Sequence, residues 1–329
     1  MMSQAYIKAI SYYLPEHILT NEALVKEFPE WTVEKVAKKV GINQRHISAQ
    51  DEFTSDMAIK ASQKLFEEHS IDKADIDFIL LCTQSPDYFL PTTACIVQDR
   101  LGIPTSAGAL DYNQGCSGYV YGLALAKGLI AGGIAKNVLL ITSEVYSKHI
   151  HQSDKGNRTI FGDAASASLI STDGFAAIGE FELGTDGSGF DDLIVKNGAM
   201  KSGTKSTDTN IEMDDFLFMN GAGVFNFTLA AVPSLVENTL SKNQLEGVES
   251  VDWFVFHQAN SFMLNHLRKK IGIEQENFLM HMQDCGNTVS STLPIVLKEH
   301  HEKFKTGQKA LLAGFGVGYS WGGNVLTFC

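Results

Sequence analysis

The sequence predicts an α/β protein made of two copies of one α/β half, and three observations carry that reading. Short apolar runs of strand type alternate with helical stretches along the chain. The order of those segments occurs twice. The 329 residues are 44% hydrophobic and 19% charged, enough apolar material for a core spanning both copies and too much for a disordered chain.

Taken in order, the first copy opens on Ile76-Asp77-Phe78-Ile79-Leu80-Leu81, a buried strand. A helical stretch follows and closes on Leu101-Gly102-Ile103. The chain then reaches a small-residue turn, Gln114-Gly115-Cys116-Ser117-Gly118, which enters another helix. Asn137-Val138-Leu139-Leu140-Ile141 completes the copy as a second buried strand. The second copy repeats these parts. Val251-Asp252-Trp253-Phe254-Val255-Phe256 is the strand and Ile271-Gly272-Ile273 closes the helix. Cys285-Gly286-Asn287-Thr288-Val289-Ser290 is the turn, and Lys309-Ala310-Leu311-Leu312-Ala313 is the last buried strand of the repeat. The halves are expected at 1–172 and 173–329, packed as layered sheets with helices between and outside them. The stretch from Gly184 to Asn210, rich in Gly, Asp, Ser and Lys, reads as surface loop and hairpin without chemistry.

Charge and cysteine usage exclude several function classes. The chain carries 26 basic and 38 acidic residues, a net charge of −12, against the basic face a nucleic-acid binder needs. No apolar run approaches the length of a membrane span. The stretch from Met1 to His17 has no basic region followed by an apolar segment, so it does not read as a secretory signal. Five cysteines at irregular spacing, without CxxC, are expected as free thiols of a cytoplasmic protein. No Cys/His cluster has metal-ligand spacing, so no metal is expected.

Superposing the copies places Cys82 opposite His257 and Cys116 opposite Asn287. Equivalent strand ends meet across the pseudo-twofold axis of such folds, so Cys116, His257 and Asn287 are expected to converge. Cys116 lies between a strand and a helix of small residues, at the helix N-terminus. Unsatisfied N–H groups and the positive end of the helix dipole there are expected to lower its thiol pKa from about 8.5 to below neutrality, making it a nucleophile. The bland readings are a small buried cysteine, a core histidine after an apolar strand, and an asparagine that caps a helix. Gly314-Phe315-Gly316-Val317-Gly318 follows a buried strand. A dinucleotide loop would continue into a helix, whereas Asn324-Val325-Leu326-Thr327-Phe328 reads as a further strand. A turn offering backbone N–H groups as an oxyanion hole fits better.

Together these segments resemble the thiolase-fold condensing enzymes, and among them β-ketoacyl-acyl carrier protein synthase III. The resemblance runs over almost the whole chain. It is carried by Tyr13-Leu14-Pro15 with Thr20-Asn21, Gly41-Ile42 with Arg45-His46-Ile47, and Gln114 to Gly118. It continues through Ile160-Phe161-Gly162-Asp163-Ala164-Ala165, His257-Gln258-Ala259-Asn260, Gly286-Asn287-Thr288 and Gly314-Phe315-Gly316. It implies a layered αβαβα fold and a catalytic triad of Cys116, His257 and Asn287. Cys116 would accept an acyl group from an acyl-CoA. His257 and Asn287 would hold the thioester oxygen of malonyl-acyl carrier protein during loss of CO₂. The oxyanion hole would be built from backbone N–H groups of Cys116, Gly316, Val317 and Gly318. No cofactor is implied beyond the two thioester substrates. The alternative is an acyltransferase on the same fold, passing the acyl group from Cys116 to an oxygen or nitrogen nucleophile.

The resemblance also implies contacts away from the triad. Trp31 would stack on the coenzyme A adenine, and Asn260 and Phe315 would lie at the substrate. Lys39 and Lys155 stand where the family commonly has arginine, which weakens planar recognition of adenine and phosphates. Phe262 stands where the family has a basic residue. The family is homodimeric, so Phe89 or Leu90 would reach the partner's acyl pocket. The acidic chain would dock an acidic carrier protein through a local patch, Arg268, Lys269 and Lys270, facing solvent, with Lys201 and Lys205 as loop lysines in reserve.

Overall fold

The computed structural model describes residues 3–203 and 211–329; Lys205 and the end of the Gly184–Asn210 stretch lie outside them. Ten strands form the main sheet: β1 (Tyr6–Tyr13), β2 (Phe78–Cys82), β3 (Gly108–Tyr112), β4 (Val138–Glu144), β5 (Ala164–Ser171), β6 (Ala176–Thr185), β7 (Trp253–Phe256), β8 (Phe278–Leu279), β9 (Lys309–Gly316) and β10 (Ser320–Phe328). Their spatial order is β8-β7-β9-β10-β6-β1-β5-β4-β2-β3. Read outward from the centre, β1-β5-β4-β2-β3 and β6-β10-β9-β7-β8 are one order used twice. In each run the two strands flanking the repeat's first buried strand pair with it in parallel, and the remaining long pairings are antiparallel. The runs are joined edge to edge where Tyr6 and Ile7 pair with Ala177 and Ala176.

Strand parity sorts the core into layers, because successive side chains point to opposite faces. Leu80 and Val255 face a central layer, where the helices Gly118–Ala131 and Thr292–Glu299 insert Tyr119, Val120, Leu123, Leu293, Val296 and Leu297 between strands of both runs. Ile79 and Leu81 face outward onto the helices Thr54–His69 and Thr93–Leu101. Phe254 and Phe256 face outward onto the helices Gly221–Lys242 and Ser261–Ile271. The result is the expected αβαβα layering. Each fully buried aliphatic or aromatic side chain contributes roughly 1.5–3 kcal/mol. The two repeat helices stop in the same way: Gly102 (φ 66°) and Gly272 (φ 83°) adopt the left-handed conformation that glycine takes without penalty.

The stretch from Gly184 departs from the expectation. Leu193–Val195 pairs with Leu217–Met219 as a small two-stranded sheet, and Leu193 and Leu217 are buried against Cys116. It therefore supplies a wall of the site. Among the described residues, no helix is long and apolar enough to cross a membrane, and no group of three or more His, Cys, Asp or Glu could hold a metal ion.

Candidate active site

β3 leads through Gly115 to Cys116, two residues before the helix that starts at Gly118. Glycines let other backbone approach this turn closely. A Cβ on Gly316 would lie 2.9 Å from the Cys116 Sγ, and one on Gly314 would lie 2.8 Å from the Cys116 carbonyl oxygen. β9 thus lies directly against the nucleophile turn. His257 follows β7, and Asn287 sits in the turn before Thr292–Glu299. Cys116, His257 and Asn287, exposed by 6%, 2% and 4%, line one cavity of about 160 Å³ with Phe161, Leu193, Thr228, Asn260, Phe315 and Gly316.

Asn287 is not the N-cap of Thr292–Glu299, but its side chain satisfies the first N–H of the 3-10 turn Val289–Ser291 that precedes it. Ser291 is the N-cap of Thr292–Glu299. Asn287 Oδ1 instead accepts from the Val289 N–H at 2.9 Å, which leaves Nδ2 as the donor available to the cavity. His257 Nδ1 lies 2.9 Å from Thr292 Oγ1, and that hydroxyl also has the Val289 carbonyl at 3.0 Å. These two contacts fix the orientation of the imidazole ring at the end of β7. Burial pushes the His257 pKa down to about 3, opposed by the Val289 backbone, so the ring is neutral across the physiological range.

The thiol corrects the expectation of a lowered pKa. Burial first, and Glu144 second, push the Cys116 thiol up to about 12. The backbone N–H groups of Val317 and of Cys116 itself oppose that shift. Desolvation outweighs the helix end, and the resting group is a neutral thiol. Those two N–H groups are the expected oxyanion donors that do reach the sulfur. Gly316 contributes close approach, while Gly318 faces Ser320. Glu144, at the end of β4, is fully buried and accepts from the Gln84 N–H and the Ser85 and Ser290 hydroxyls. Burial raises its carboxyl pKa to about 8.

The remaining expected residues distribute as follows. Trp31 and Lys39 line a wider cleft of about 510 Å³ that shares Ile160, Met219 and Gly221 with the cysteine cavity. Lys39 Nζ lies 5.4 Å from the Trp31 ring centre. Lys155 does not line the cleft; its ammonium pairs with Glu30 at 2.5 Å, while its neighbours Gly156 and Asn157 are at the wall. Asn260 caps Ser261–Ile271 by accepting from the Met263 N–H, and the Phe315 ring stands edge-on to His257 at 5.9 Å. Leu90 is 80% exposed beside Phe89 and Tyr88, apart from the cysteine cavity. The basic triplet is not uniform. Arg268 is half-buried and donates to the Ile273 carbonyl, Lys270 donates to the Leu229 carbonyl, and Lys269 is exposed. Cys82 stays out of the site, its thiol turned to the Gln114 carbonyl. Sequence reasoning missed Leu193, Met219, Val224 and Thr228 as cavity walls. The signal available was the apolar run Leu193-Ile194-Val195 inside an otherwise polar stretch.

The chain is similar to known proteins along nearly its whole length. Residues 110–187 match the family described as 3-oxoacyl-[acyl-carrier-protein] synthase III, and residues 240–328 match its C-terminal family. The chain is 35% identical over 328 residues to a β-ketoacyl-[acyl-carrier-protein] synthase III of Clostridium perfringens, covering 99% of each. It is 36% identical over 332 residues to one of Sulfurimonas denitrificans, again covering 99% of each. A crystal structure of a 3-oxoacyl-(acyl-carrier-protein) synthase III superposes with a TM-score of 0.94 at 46% identity, over 99% of this chain and 100% of that one. A Burkholderia xenovorans 3-oxoacyl-(acyl-carrier protein) synthase superposes with a TM-score of 0.91 at 36% identity, over 99% and 95%. The chain belongs to the β-ketoacyl-acyl carrier protein synthase III family of acyl-transferring condensing enzymes.

Proposed function

We propose that this chain joins an acyl-CoA starter to malonyl-acyl carrier protein by decarboxylative Claisen condensation, in fatty acid or related acyl-chain synthesis. The observation that carries the reading is that Cys116, His257 and Asn287, from two copies of one topology, line a single buried cavity. We take those halves as 1–172 and 173–329.

In the first step the Cys116 sulfur attacks the acyl thioester, coenzyme A leaves as its thiol, and the acyl group is held on sulfur. The Cys116 and Val317 N–H groups, already turned to the sulfur, stabilise the tetrahedral oxyanion. In the second, the malonyl thioester oxygen accepts from Asn287 Nδ2 and neutral His257. Loss of CO₂ leaves an enolate whose charge those donors hold. Its carbon attacks the acyl group, the carbon–sulfur bond to Cys116 breaks, and the β-ketoacyl thioester departs. The Cys116 proton leaves on the coenzyme A thiol in the first step, and one proton taken up from water restores the Cys116 thiol in the second.

Trp31, Lys39 and the cleft wall at Gly156 and Asn157 would receive the coenzyme A end. The chain would act as a homodimer, joined at the edge strand β3 with Tyr88, Phe89 and Leu90 reaching the partner's acyl pocket. An unpaired edge and this exposed apolar cluster both favour a covering partner. The test is incubation with labelled acyl-CoA, with and without malonyl-acyl carrier protein. Acyl labelling followed by CO₂ release and β-ketoacyl product supports condensation; labelling with no CO₂ release removes it.

A further inference from the structure

Arg45 is fully buried, and among the described residues no carboxylate pairs with it. A cation in that position is costly unless its donors are well used. Nε and Nη2 both donate to the Thr159 carbonyl, at 3.1 and 2.5 Å, and Nη1 donates to Asn21 Oδ1 at 2.7 Å. Asn21 is itself fixed, since its Nδ2 donates to the Ile42 carbonyl at 2.8 Å. Burial alone lowers the guanidinium pKa to about 10, so the group stays charged.

What the guanidinium grips leads directly to Asn287. The segment after Thr159 forms a parallel bridge, Phe161 to Asn287. The Asn287 N–H donates to the Ile160 carbonyl at 2.9 Å, and the Gly162 N–H donates to the Asn287 carbonyl at 3.0 Å. The stem of Arg45 touches both sides of that bridge. A Cβ on Gly162 would stand 3.4 Å from Arg45 Cβ, and one on Gly286 would stand 3.0 Å from Arg45 Cγ. Gly286 also has φ +78°, a conformation that favours glycine. One side chain thus fixes the Thr159 carbonyl, one residue before the Ile160 carbonyl that accepts from Asn287, and packs against the residue preceding Asn287.

We propose that Arg45 is the positioning residue for Asn287, holding its backbone so that Nδ2 meets the malonyl thioester oxygen. This rests on the reading of Asn287 as an oxyanion donor. A lysine, with one nitrogen in place of three, loses the planar fork that puts two donors on the Thr159 carbonyl and a third on Asn21.

The test is a double-mutant cycle of Arg45→Lys and Asn287→Ala, read in both half-reactions. Arg45→Lys should lower condensation about tenfold, while Cys116 acylation by acetyl-CoA stays within about twofold. In the Asn287→Ala background it should cost less than about twofold more, because the group it positions is gone. Equal loss of both half-reactions, or penalties that multiply across the cycle, would overturn the proposal. Asn287→Ala with normal condensation would instead remove the reading of Asn287, a separate outcome of the same cycle. If Arg45→Lys does not fold, Asn21→Ala, which strips one partner from the guanidinium, takes its place and must show the same pattern.

Discussion

Val289 sets the orientation of the Asn287 side chain: its backbone N–H donates to Oδ1 at 2.9 Å, so the amide meets the cavity with its Nδ2 end. An asparagine turned this way can stabilise an oxyanion and has no base to offer.

Asn287→Ala should therefore still acylate Cys116 and yet lose condensation. Removing one oxyanion donor typically costs about 10²–10³ in rate. Malonyl-dependent CO₂ release measured beside acyl-enzyme formation checks this, and unchanged release removes the role.

Cys116 should alkylate slowly at neutral pH. Its thiol is pushed up to about 12, so the thiolate fraction rises about tenfold per pH unit with no plateau below pH 10. The measurement is iodoacetamide labelling of the Cys116 peptide by mass spectrometry, which separates it from exposed Cys95 and Cys329. A plateau near pH 7 would restore the lowered pKa that the helix end alone suggests.

Glu144 links pH to stability. Its carboxyl is raised to about 8 in the fold from an ordinary 4.5. Between those values the unfolded chain binds fewer protons than the folded one, so stability falls as pH rises. Glu144→Gln keeps the shape without the charge, and should raise Tm more at pH 8 than at pH 5, by about 2 °C or more. An equal effect at both pH values would show that Glu144 is ionised in the fold throughout.

Among the basic triplet, Lys269 is the free cation and Arg268 is a structural one. Lys269→Glu should raise KM for malonyl-acyl carrier protein, leave Cys116 acylation by acyl-CoA unchanged, and lose its effect at high salt. Arg268→Ala should lower Tm through the lost bond to Ile273. Steady-state kinetics at two salt concentrations distinguish them, and no change in KM for Lys269→Glu moves docking elsewhere.

The duplication was legible because its marks are local: an apolar run, then a glycine that ends a helix, at Gly102 and again at Gly272. The Cys116 turn was legible through its flanking glycines, which the close approach of β9 requires. What depends on distant packing was not. Leu193 and Met219 become cavity wall only because two short strands pair across a long loop. The thiol pKa follows from burial, which the whole fold imposes and a helix start does not reveal. β8, two residues long, carries no periodicity to read. Arg45 shows no sign in sequence that it is interior, since a lone arginine is ordinarily a surface residue.

The central claim is that Cys116 carries the acyl group, and intact-mass spectrometry after incubation with acyl-CoA tests it most directly. Wild-type protein should gain the mass of one acyl group, and lose it again as β-ketoacyl product when malonyl-acyl carrier protein is added. Cys116→Ala should fold with an unchanged Tm and gain nothing. A one-acyl mass shift that persists in Cys116→Ala would contradict the account.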